Sequence, residues 1–125
     1  MIKRTEEELK ILQDKIEYYA PRIAKEWEES RLSSSKMRKF YAEFKRLERI
    51  WINGGKTRER FNEVLPMIKF VSSKVAYDSQ RSGNKMPMPV GNFFRDEIKN
   101  IKNEKDFDTF LIYLEAIVGF ANLKN

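Results

Sequence analysis

A chain of 125 residues without cysteine or histidine is long enough to bury a real core, yet it lacks thiolate nucleophiles, disulfides, imidazole acid-base chemistry and every common zinc site. Its 25 Lys and Arg against 19 Asp and Glu leave a formal net charge of +6, a balance that favours polyanionic partners and says nothing about fold. The start, MIKRTEEELKILQDK, has no apolar signal-peptide core, and no window approaches the roughly 18 apolar residues of a membrane span, so a soluble cytoplasmic protein is expected.

Thr5 followed by Glu8 is a capping box, and Leu9, Leu12, Ile16 and Tyr19 then recur at helical spacing, which predicts a first helix from about Glu6 to Ala20. Pro21 should interrupt it, with Arg22 to about Ser30 continuing as a kinked segment that turns Ile23 and Trp27 inward. Ile2, Leu9, Ile16 and Ile23 also fall at heptad spacing, which suits either an ordinary bundle face or a pairing seam for a second copy. The serine run 33–35 supplies an N-cap for a helix that should end where Asn53, Gly54 and Gly55 allow a left-handed turn.

Thr57 caps the next helix, which carries Phe61, Val64, Leu65, Ile68, Val71 and Val75 on one face and should last until about Arg81, with a kink or new start at Pro66. A proline- and glycine-rich loop follows, Ser82 to Asn92, in which Met86 and Met88 form either an exposed apolar hook or part of a mobile loop. Asn92 is expected to cap a short helix with Phe94, Ile98 and Ile101 inside, and Asn103 a last, most apolar helix with Phe107, Phe110, Leu111, Leu114, Ile117, Val118 and Ala121. The expectation is one all-α domain, residues 1–125, a compact bundle of about five to six helices with the last at its centre.

The stretch Lys36 to Trp51 sorts its residues. Met37, Phe40, Tyr41, Phe44, Leu47 and Trp51 share one broad face, while Arg38, Lys39, Lys45, Arg46 and Arg49 share the other around Ala42. Glu43 and Glu48 fall at the flanks or on the apolar side, so they are expected not to neutralise the basic strip. From Arg38 to Arg49 the strip spans roughly 16 Å, enough to follow about four or five phosphates of one strand. Lys74 and Arg81 form a second basic set on the next helix, with Lys85 beyond, and Tyr77 beside them either stacks a base or belongs to the core.

Other motifs lead nowhere. "GGKT", Gly54 to Thr57, has Ile50 where a phosphate-binding loop needs glycine, and it follows a helix, so it reads as a helix joint. Asp106 and Asp108, two apart on a predicted helix, diverge, and Glu104 and Asp108 suit a helix's first turn better than a metal or a nuclease site.

Three segments, "SSSKMRKFYAEFKRLE" from Ser33, "KVAYDSQR" from Lys74 and "FLIYLEAIVGFANLK" from Phe110, together resemble the small subunit of the Csm effector complex of type III-A CRISPR RNA-guided interference. The resemblance implies a small, helical, non-catalytic antiviral-defence protein without cofactor or metal, present in more than one copy beside crRNA and its target RNA. It also implies contacts with the other Csm subunits and with further copies of itself, and a homodimer when isolated is compatible with the heptad spacing. On this reading Arg38, Lys39, Lys45, Arg46, Arg49, Lys74, Tyr77 and Arg81 bind RNA. The alternative is a purely structural assembly subunit whose basic helix docks on acidic neighbouring subunits without touching RNA.

Overall fold

A computed structural model describes residues 2–125, and the chain is all-α. Six helices follow in order: α1 (Glu6–Asp14), α2 (Ala20–Glu29), α3 (Ser34–Asn53), α4 (Arg58–Gln80), α5 (Met88–Lys99) and α6 (Glu104–Phe120), with a π-helical turn (Lys15–Tyr19) fusing α1 to α2. Five separate rods result, since α1, the turn and α2 are continuous. Thr5 accepts from the Glu8 amide and Glu8 reaches back to the Thr5 amide, so the capping box forms as expected.

Pro21 does not break the helix. A proline ring clashes with the carbonyl four residues back, here that of Glu17, and widening the preceding turn moves that carbonyl aside. The Ala20 amide accordingly donates to the Lys15 carbonyl, five residues back. Pro21 then sits in the first turn of α2, where its missing N–H costs nothing. Among the heptad-spaced residues, Ile2 and Ile23 pack against the core and only Leu9 is exposed, so a bundle face accounts for most of that pattern.

Helices α3 and α4 form an antiparallel hairpin. Gly55 has φ 96 and Lys56 φ 56, the left-handed joint expected from "NGGK", and the Ser33 and Thr57 hydroxyls accept from the Lys36 and Arg60 amides as N-caps. Pro66 lies inside an uninterrupted α4. Both Pro66 and Asn62, whose carbonyl it leaves unpaired, are on the exposed side, where water can take the orphaned acceptor.

The loop after α4 corrects two expectations. Met86 is buried to 2% exposure, whereas Met88 is 74% exposed. The Met86 amide donates to Asp78 Oδ1 at 3.0 Å, so this end of the loop is tied to α4 and neither a two-methionine hook nor a mobile Met86 describes it. α5 starts at Met88 with Pro87 as its N-cap residue and Pro89 in the first turn, which leaves Asn92 inside the helix and not at its cap. A Cβ on the buried Gly91 would lie 2.9 Å from the Ser79 hydroxyl, so glycine is what lets α5 approach α4 this closely.

The core is aromatic. Phe94 of α5 lies within ring-packing distance of Trp27, Phe40 and Phe44, and Phe44 meets Phe110 of α6 edge-on at 4.8 Å. A second group joins Trp51, Phe61 and Phe107 at the hairpin end. α2 packs on α6 and α4 on α5, while α6 also meets α3 and the π-helical turn. Because the inner faces of α3 and α4 are committed to this core, their basic outer faces are held outward.

Candidate nucleic-acid interface

The expected basic residues sit on the outer side of the α3/α4 hairpin. Arg38, Lys39, Arg46 and Arg49 are exposed on α3, Lys45 is half-buried, Lys74 and Tyr77 are exposed on α4, and Arg81 is exposed just past its end. Tyr77 is 75% exposed, which rules out its being a core tyrosine. A groove of about 330 Å³ between the helices is lined by Lys39, Ser73, Lys74, Tyr77, Asp78 and Arg81, so residues chosen from two separate segments converge on one surface. Lys45, Arg46 and Arg49 lie farther along α3 and do not line it.

The acids are more engaged than expected. Glu43 accepts from Arg46 at 2.5 Å and lies 3.6 Å from Lys74, while Glu48 pairs with Lys45 at 2.7 Å. The sorting by helical angle missed this because long side chains at i and i+3 reach each other across a face boundary. Burial pushes the Glu43 carboxyl up, but the Arg46 hydrogen bond and the charge of Lys74 outweigh it and hold the group below the usual carboxylate range. The Glu48 hydrogen bond raises Lys45 above the ordinary lysine value. Among the described residues, Arg38, Lys39, Arg49 and Arg81 have no ion-pair partner within 4.0 Å. These four, with Lys74 at long range from Glu43, are the cations most available to phosphate.

Beneath the groove lies a pair the sequence did not announce. Lys36 Nζ donates to Asp78 Oδ1 at 2.7 Å, with side chains 5% and 3% exposed. The pair joins α3 to α4 and, through the Met86 amide, to the following loop, so it fixes the spacing of the groove's two walls. Lys36 precedes the buried Met37 in the first turn of α3, and both side chains are buried.

The carboxylates elsewhere are otherwise occupied. Glu104 pairs with Arg58, Asp108 with Arg4, and Asp106 accepts from the Lys102 amide; no group of three or more acidic residues able to hold a metal occurs among the described residues. Glu97 of α5 lines a separate groove with Lys15, Tyr19 and Tyr113. Burial raises its pKa above 4.5 despite the charge of Lys15, and burial likewise pushes the Tyr113 phenol up to about 12. A carboxyl with a raised native pKa binds its proton more tightly when folded, so its contribution to stability is lost as pH rises through that raised value. Glu97→Gln is therefore expected to raise the urea midpoint at pH 7 and to leave it unchanged near pH 3, where the wild-type carboxyl is protonated in both states; a lower midpoint at pH 7 would contradict the assignment.

Among the described residues, no helix is long and apolar enough to cross a membrane. No curated protein and no solved structure matches the chain significantly. The family model Csm2 Type III-A matches residues 9–124, nearly the whole chain, including all three segments that carried the resemblance. An all-helical chain matched over this length belongs to the Csm2 Type III-A family and is a small subunit of the Csm complex that associates with the other Csm subunits.

Proposed function

We propose that the chain binds RNA without catalysing its cleavage, holding crRNA and target RNA through backbone charge on the outer face of the α3/α4 hairpin while base pairing supplies the reading of sequence. The observation that carries this is the groove in which Lys39 of α3 meets Lys74, Tyr77 and Arg81 from the α4 side. Lys39 and Arg81 lack carboxylate partners among the described residues, and Arg38 and Arg49 extend the cationic track along α3. Several copies on one RNA raise the effective concentration of each site, so weak single contacts suffice in the assembled complex.

The competing role is a subunit whose basic face docks on acidic neighbours and touches no RNA. Lys39→Glu/Arg46→Glu separates the two. The expected result is loss of RNA binding by the isolated protein with undiminished co-purification of the other Csm subunits. Loss of assembly at unchanged RNA affinity would assign the face to protein contacts instead.

A further inference from the structure

The outward stripe of α4 carries two large aromatic side chains that the core does not use. Phe70 is 61% exposed and Tyr77 is 75% exposed. They are seven residues apart, nearly two full helical turns, so they project along almost the same line at roughly 10 Å separation. Lys74 stands between them with its ammonium 5.8 Å from the Phe70 ring centre, and Lys39 and Arg81 flank Tyr77 in the groove. Exposed aromatic rings cost apolar hydration, and two in register on one helix are not explained by packing within the chain.

We propose that Phe70 and Tyr77 form a two-position stacking platform for unpaired nucleobases, so that this hairpin holds single-stranded or locally splayed RNA in preference to an intact duplex. The inference rests on the RNA-binding reading above and names which state of the RNA the site takes. In a duplex each base face is covered by its neighbours about 3.4 Å away, and no face is open to a side chain approaching from outside. An unpaired base offers its whole face, and an aromatic ring with a cation beside it satisfies both base and phosphate. The cations around both rings favour such a ligand over an apolar protein surface, which would have to bury Lys74 with only its 3.6 Å contact to Glu43.

The test is fluorescence anisotropy of the full chain at low salt with labelled single-stranded RNA and the same sequence as a duplex. Phe70→Ala and Tyr77→Ala should each weaken single-strand binding about 5- to 100-fold, change duplex binding less than about 2-fold, and leave the salt slope of wild type intact, because no phosphate contact is lost. Phe70→Tyr should restore affinity and Phe70→Leu should not, since leucine keeps the apolar volume and loses the π face. Equal losses on duplex and single strand, a leucine variant that binds like wild type, or no effect at all would overturn the platform while leaving RNA binding standing. Wild-type protein that binds neither RNA overturns the RNA reading itself and the platform with it. Both side chains are exposed, so the variants should melt within a few degrees of wild type.

Discussion

Asp78→Ala is expected to cost about 3–5 kcal/mol of folding stability, a large part of the roughly 5–15 kcal/mol available to a domain of this size. The substitution leaves the Lys36 ammonium, whose side chain is 5% exposed, without its carboxylate. It also removes one acceptor of the Met86 amide and so loosens the start of the link to α5. Replacing both partners by apolar residues, Lys36→Met/Asp78→Leu, should recover most of the loss, because neither charge then needs desolvation. Recovery is partial in the loop only, where the Met86 amide retains the Asp78 backbone carbonyl at 3.3 Å. Urea titrations of the wild type, Lys36→Met, Asp78→Leu and the double variant give the coupling directly. Single-variant losses below about 1 kcal/mol would mean that the pair is hydrated and does not lock the hairpin.

Phe44→Ala should be comparably severe, about 3–5 kcal/mol. Phe44 is 0% exposed and touches rings on two other helices, Phe94 at 5.8 Å and Phe110 at 4.8 Å. The cavity cannot close without moving α5 or α6, and both are already held by other aromatic pairs, so relaxation recovers little. Phe44→Leu keeps much of the volume and should cost only about 1–2 kcal/mol. An alanine variant nearly as stable as the leucine variant would show that the three helices do not converge on this ring.

The helices were legible because their caps and apolar spacing agree. Thr5, Ser33, Thr57 and Asn103 all accept the backbone hydrogen bonds their positions implied. Pro21 and Pro66 hide their effect from the sequence for one reason: a kink or break is expected at each, yet the outcome depends on whether the carbonyl four residues back can move or be hydrated. At Pro21 a π turn moves it, and at Pro66 exposure hydrates it.

The site was half legible. Each basic segment could be found by helical angle, but that Lys39 would face Tyr77 and Arg81 depends on how α3 and α4 pair, which no single-helix projection contains. The same limit hid Lys36 with Asp78 and Glu43 with Lys74, contacts across 42 and 31 residues of chain that form only when the hairpin closes. Phe70 was visible by omission, since the apolar face of α4 runs through Phe61, Val64, Ile68, Val71 and Val75 and leaves it outside.

If RNA phosphates lie on this hairpin, RNA affinity must fall steeply with salt. For single-stranded RNA and the isolated chain, roughly five neutralised phosphates predict a slope of log affinity against log salt of about 3 to 4 in magnitude. Lys39→Glu/Arg46→Glu should flatten that slope by at least about 1 and weaken binding more than tenfold at low salt. A wild-type slope near zero, or a steep slope that the double variant leaves unchanged, would contradict the placement of RNA along α3 and α4.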